Sequence, residues 1–322
     1  MSQKMFVQAI NEALREELRR DPNVFMMGEN LELGMFGAEA GLYEEFGFER
    51  IRYTPISEAG FTGLATGASL LGMRPVVEYG AASFMYVAAD QMISVAGRLR
   101  YATGGDVCVP VTYLAMSMGG GGAGPQHSDN ICSLFVHYPG FKVVYPSTPY
   151  DAKGLLKSAI RDDNPVVFAY DIRSAMVKGE VPDEEYLVPI GKGDIKREGK
   201  DVTVVAAGST NTMALEAADE LAKEGISVEV VDPRTIKPLD KELILSSLEK
   251  TGRLVVCLDD YRDSSFASDV AAIAADEGFK FLKAPVKRVA RAQVPPPYTT
   301  VLEREVMPDK DKIARAIREV LQ

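Results

Sequence analysis

Along the 322 residues, short apolar runs of strand length alternate with segments whose apolar residues recur at helical spacing. That alternation confines the chain to a parallel α/β sheet more firmly than any single motif does. The runs are VFMMG (24–28), PVVEYG (75–80), VPVTYLAM (109–116), KVVYP (142–146) and PVVFAYD (165–171). Between most of them lie helical patterns: FTGLATGASLLG, closed by Gly72; YVAADQMISVAGRLR; and PYDAKGLLKSAIRDD, with Pro149 and Asp151 near its start, where they are favoured. One domain therefore closes near residue 175. The next stretch, SAMVKGEVPDEEYLVPIGKGDIKREGK, is polar, punctuated by Gly and Pro, and lacks helical periodicity, so 176–200 predicts a linker ending in a short hairpin. From 201 to 322 the alternation resumes more regularly, through DVTVVAAG, ISVEVVDP and RLVVCLDD, and ends in a surface helix begun by Pro308 and Asp309. The expected fold is α/β with two parallel-sheet domains.

Length agrees, since a chain of this size holds two cores. A net charge of −10 argues against a nucleic-acid partner, which needs a clustered basic surface. The three cysteines, Cys108, Cys132 and Cys257, lie far apart in or beside apolar runs and are expected to be buried free thiols. Two histidines leave little material for a Cys/His zinc site. The N-terminal segment is an amphipathic helix rather than a targeting peptide, and no apolar run reaches membrane-spanning length. A soluble, cytoplasmic protein with no membrane partner is expected.

The stretch PISEAGFTG places Glu58 among small and apolar residues at the start of a helix. It reads as a paired structural acid, as a helix-terminus charge favoured by the dipole, or as a functional carboxyl, and the helix charge leads on general grounds. MGGGGAGPQHSDN (118–130) contains a formal GxGxxG, but Pro125 interrupts the helix such a fingerprint needs and no acid follows at ribose-binding distance. The glycines imply close backbone approach or mobility, and the loop delivers His127 beyond a strand end, where α/β proteins present reactive groups. His137 lies between apolar residues and is expected to be a satisfied structural histidine. Glu29, in MMGEN, is a helix-capping acid or a site residue.

In combination these signals narrow. TPISEAGFTGLATGASLLGMRPVVEY, then Phe84 followed by ADQ, then QHS, then YPGFKVVYPSTPYDAKGLLKSAIRDDNPVVF, with VVDPRTIKPLD and VPPPYTTVLE in the second half, resemble the beta subunit of the thiamine-diphosphate-dependent first component of 2-oxo acid dehydrogenases. Pyruvate, branched-chain and acetoin enzymes are its usual members. The resemblance spans essentially the whole chain, and implies an N-terminal pyrimidine-binding domain and a C-terminal transketolase-like domain. It implies that Glu58 hydrogen-bonds N1′ of the aminopyrimidine and favours the tautomer whose 4′ nitrogen takes the C2 proton. By the same match Phe84 stacks on the pyrimidine, His127 faces the substrate, and Glu29 stands near the pyrimidine pocket. A structural potassium ion is implied at Val111, Ala159, Ile160, Asp162 and Asn164.

The chain contains no GDG segment of the kind that clamps the magnesium and diphosphate. An alpha subunit is therefore expected to supply the Mg2+ site in an α2β2 heterotetramer, with a lipoyl acyltransferase as the usual acceptor and a small 2-oxo acid as substrate. The alternatives are the C-terminal half of a split transketolase and a non-catalytic scaffold subunit. Three departures stand out. Leu114, Met116 and Met118 replace an Arg-x-Pro-x-Gly loop, Asp129 replaces a common Gln, and DDYRDSSFASD (259–269) replaces a Gly-rich segment. The first two bear on substrate identity and the third on acyltransferase docking.

Overall fold

The computed structural model describes residues 1–322. In chain order the first elements are β1 (Ser2–Met5), α1 (Phe6–Arg20), β2 (Val24–Gly28), α2 (Leu42–Phe46), β3 (Ile51–Tyr53), α3 (Glu58–Leu70) and β4 (Arg74–Glu78). A 3-10 turn (Ala82–Tyr86) and a π-helical stretch (Asp90–Ala96) lead into α4 (Gly97–Ala102), β5 (Thr112–Ser117), α5 (Cys132–His137), β6 (Lys142–Val144), α6 (Pro149–Arg161) and β7 (Val166–Asp171). Then come β8 (Lys178–Val181), β9 (Asp194–Arg197), β10 (Val202–Ala206), α7 (Ser209–Ala222), β11 (Val228–Asp232), β12 (Thr235–Lys237), α8 (Lys241–Thr251) and β13 (Leu254–Tyr261). The last are α9 (Phe266–Asp276), β14 (Lys287–Arg291), α10 (Thr300–Val306) and α11 (Lys310–Leu321).

The expected α/β architecture is present. A seven-stranded sheet runs β12-β6-β7-β5-β4-β2-β3 and a five-stranded one β14-β13-β10-β11-β9, each parallel except for one antiparallel edge strand, β12 or β9. Alternation along the strands sorts the core into layers. Val76, Leu114, Met116 and Phe168 join Ile10 and Leu14 of α1 and Leu155 and Leu156 of α6. Their neighbours Val77, Tyr113, Ala115 and Val167 point the other way, into a cluster that also takes Val205, Val231 and Val256 from the second sheet. Val204, Val230 and Val255 face α7 and α11. The middle cluster is the largest of the three, with 36 buried residues, so the two sheets share their principal core.

Local chemistry accounts for the helix starts. The Thr148 side chain accepts from the Asp151 N–H ahead of Pro149, and Asp309 accepts from the Lys312 N–H at 2.8 Å. Gly72, with φ of +90°, turns the chain out of α3.

Several expectations are corrected. The segment 176–200 holds no hairpin: β8 pairs with β1 at the N-terminus, and β9 pairs with β11. The polar composition belongs to strands at sheet edges, which keep one side in water. Leu114 and Met116 are not loop residues; both are buried in β5 and face α1 and α6. His137 ends α5 exposed, without side-chain hydrogen bonds, because only one face of that short helix is covered. Cys132 and Cys257 are buried free thiols, but Cys108 is exposed in the extended segment before β5.

Candidate functional site

Three neighbouring parallel strands, β5, β4 and β2, end at one edge of the larger sheet, and the loops leaving them build a cleft of about 460 Å³. Ligands in open α/β sheets bind at such an edge. The end of β2 delivers Glu29; the end of β4 delivers Glu78, Tyr79 and Gly80; the 3-10 turn delivers Phe84; the loop after β5 delivers Met118 and His127. Gly28 permits this convergence, since a β-carbon there would lie 2.2 Å from the Glu78 carbonyl oxygen.

Phe84 and His127 meet edge to face, with ring centroids 5.4 Å apart. Glu29 Oε1 is buried without a hydrogen-bond partner, and burial, followed by the charge of Glu58, raises its pKa. Glu58 is buried as the first residue of α3, where the helix dipole favours a carboxylate. It does not line the cleft itself but stands close enough for its charge to act on Glu29. The structure therefore gathers Glu29, Phe84 and His127 around one cavity, with Glu58 beside them.

Two further carboxyls in the cleft escape motif reasoning. Glu39 is 4% exposed, and burial pushes its pKa up to about 7. Glu78 is also 4% exposed; burial first, then the charge of Glu39, holds its pKa well above the carboxylate range, although Oε2 accepts the Gly80 N–H at 2.8 Å. No Lys or Arg lines the cleft. With no cation at hand, burial favours the protonated form of both acids. The signal in the sequence is an acid directly after the apolar run PVV, together with one embedded in GAEAG. Tyr298, supplied from the far end of the chain, forms another wall.

The loop carrying His127 is tied down along its length. Ser83 Oγ donates to the Gln126 carbonyl, Met118 N–H to the His127 carbonyl at 3.1 Å, and Ser117 Oγ to the Ser128 carbonyl at 3.0 Å. Asp129 accepts from Tyr261 Oη at 2.9 Å and Tyr86 Oη at 3.1 Å. Burial, together with that carboxylate, pushes the Tyr261 pKa up to about 12. The unusual 259–269 segment starts inside the protein. Asp259 is fully buried against Arg291 and Arg173, whose guanidiniums overcome the cost of burial and hold its pKa below the ordinary range. Asp260 accepts from Ser133 Oγ, and burial lifts its pKa to about 6. Of Leu114, Met116 and Met118, only Met118 reaches the cleft.

An aminopyrimidine needs a flat apolar wall and carboxyl groups at its nitrogens, and Phe84 with the unpartnered Glu29 and the neighbouring Glu58 fits those needs. The oxygens of the implied potassium set already accept hydrogen bonds within the chain. Arg74 Nη1 donates to the carbonyls of Ile160 at 3.1 Å and Asp162 at 3.0 Å, Arg100 Nη1 donates to Asn164 Oδ1 at 3.2 Å, and Lys142 pairs with the Asp162 carboxylate. The Val111 carbonyl accepts from the Val166 N–H at 2.9 Å, and that of Ala159 from the Asp162 N–H at 3.2 Å. No group of three or more His, Cys, Asp or Glu side chains is placed to hold a metal ion, and no helix is long and apolar enough to cross a membrane.

Fold and cleft together define a transketolase-type chain. The family model described as "Transketolase, pyrimidine binding domain" matches residues 2–175, and "Transketolase, C-terminal domain" matches 191–313. A solved "Split gene transketolase, inactive beta4 tetramer" superposes with a TM-score of 0.80 at 25% identity, over 98% of this chain and 97% of that one. Within that class, the chain is 44% identical to the 2-oxoisovalerate dehydrogenase subunit beta of Bacillus subtilis over 100% of both chains. It is 43% identical to the acetoin:2,6-dichlorophenolindophenol oxidoreductase subunit beta of the same organism, over 97% of this chain and 96% of the relative. It is also 43% identical to that organism's pyruvate dehydrogenase E1 component subunit beta, over 100% of both. The chain belongs to this family of dehydrogenase beta subunits.

Proposed function

We propose that the chain is the beta subunit of a 2-oxo acid or acetoin dehydrogenase first component, working with an alpha subunit in an α2β2 assembly and passing an acyl group to a lipoyl acyltransferase. The observation that carries this reading is the convergence of Glu29, Phe84 and His127 on one cleft with Glu58 beside it. The sequence motifs match these four residues to cofactor and substrate contacts. Residues 1–175 and 201–322 would be the two folding units, joined by 176–200 and held in the cytoplasm.

Thiamine diphosphate, when bound, supplies an acidic C2 position and an electron sink for decarboxylation. Glu58 would share a proton with pyrimidine nitrogen N1′, and Phe84 would lie against the pyrimidine as an apolar wall. His127 would donate or accept a proton on the substrate side. The raised pKa values of Glu39 and Glu78 limit the negative charge in a cleft that already contains Glu29. Magnesium and the diphosphate would be held by the alpha subunit.

The likeness to a split transketolase keeps a sugar-phosphate reading in view, but phosphate recognition calls for cationic side chains and the cleft offers none. The test is turnover by the assembled enzyme with pyruvate, 2-oxoisovalerate, acetoin and a ketose phosphate, using an artificial electron acceptor and a ketol-transfer assay. Turnover of at least one of the first three, with the ketose phosphate inert, is expected. Activity on the ketose phosphate alone would replace this reading with the transketolase one.

A further inference from the structure

The segment from Gly119 to Gly124 contains five glycines in six residues, so its backbone has the most conformational freedom in the chain to lose on ordering. It also leads directly to His127. Such a loop holds one shape only if something outside it does the holding.

That holder comes from α10. Glu303 is 2% exposed, and its two carboxylate oxygens accept from two loop amides: Oε1 from Gly120 N–H at 2.9 Å and Oε2 from Gly122 N–H at 3.0 Å. Both glycines have left-handed backbones, with φ of +85° and +72°, which turns their N–H groups toward a common centre, as in anion-binding backbone concavities. Here the anion is the protein's own carboxylate, from a residue more than 180 positions away, and no Lys or Arg shares it. The same segment lays Tyr298 against the loop: a β-carbon on Gly124 would meet the Tyr298 ring at 2.5 Å.

We propose that Glu303 is a positioning residue for the reaction: by gripping the amides of Gly120 and Gly122 it holds the glycine loop in the one shape that presents His127 to the cleft. The C-terminal unit thereby takes part in the site through Glu303 as well as through the Tyr298 wall. The proposal rests on the reading of His127 given above.

The test is a double-mutant cycle on the assembled enzyme. In Glu303→Gln, one loop amide faces the glutamine NH2 instead of an oxygen and loses a charge-assisted hydrogen bond, and kcat should fall roughly 10- to 100-fold as the loop leaves the shape that presents His127. Bound thiamine diphosphate should be unchanged, and amide hydrogen exchange at Gly120 and Gly122 should accelerate. In a His127→Ala background the same substitution should cost nothing further, which a general structural weakening would not reproduce. Glu303→Asp keeps the charge but withdraws it by one methylene, and should show the same pattern more weakly if the glutamine variant assembles poorly. Equal losses in both backgrounds would overturn the proposal while leaving His127 in place. A His127→Ala enzyme with full activity would overturn the reading of His127 and the proposal with it.

Discussion

Glu58→Gln should lower turnover at least about 100-fold, the usual range for a positioned acid–base group, while the enzyme still assembles. The amide is nearly the same size and still favours the first turn of α3 by shape, so the buried position in the helix is kept. What disappears is the ability to share a proton with a ring nitrogen. The variant should also relieve Glu29, whose acidity is weakened first by burial and then by the Glu58 charge. Steady-state turnover, with sedimentation to monitor assembly, measures both halves. A variant with unchanged turnover would remove Glu58 from the chemistry and leave it as a helix-terminus charge.

Arg291→Met should cost about 3–5 kcal/mol of stability, the range for breaking a buried ion pair from one side. Arg291 is 1% exposed, and its Nε donates to Asp259 at 2.6 Å, Nη2 to Ser117 Oγ at 3.3 Å, and Nη1 to the Ser128 carbonyl. Its removal leaves Asp259 with Arg173 alone and frees the backbone next to His127. The sign with pH follows from the depressed pKa of Asp259. Its folded-state value lies below the unfolded one, so the stability it contributes is present above the unfolded carboxylate pKa and is lost as pH falls through the folded value. The variant should therefore lose most at neutral pH and least in acid. Arg288→Met, in the same strand but reaching only Ser268 and the Arg262 carbonyl near the surface, should stay within about 0.5 kcal/mol. Chemical unfolding of both variants decides the matter; equal, small effects would mean that the buried cluster contributes little.

Much of the architecture is visible in the sequence because the central strands are apolar on both faces. VFMMG, PVVEYG and PVVFAYD need no partner information to be recognised. β1, β8, β9 and β12 are three or four residues long and sit at edges, so nothing in their composition separates them from linker. β12 is the sharpest case: it leaves the second half of the chain to pair with β6, and Lys237 Nζ donates to the carbonyls of Val136 and Tyr138 at 2.8 Å. The site divides in the same way. Glu58, Phe84 and His127 stand in motifs whose residues are close together in sequence. Glu303, Tyr298 and Arg291 act across more than 160 residues, and only the folded chain brings them to the loop. The Asp129 and 259–269 departures are likewise uninterpretable one at a time; they meet as a hydrogen bond between Tyr261 and Asp129.

This chain would provide the pyrimidine half of a thiamine-diphosphate site completed by another subunit. The most direct measurement is to purify it from its own cells, identify what co-purifies, and quantify the cofactor. A second chain carrying a GDG segment and about one thiamine diphosphate per copy of this chain are expected. Recovery of this chain alone, free of cofactor and unable to bind thiamine diphosphate added with magnesium, would contradict that role and leave a scaffold with a cleft of another purpose.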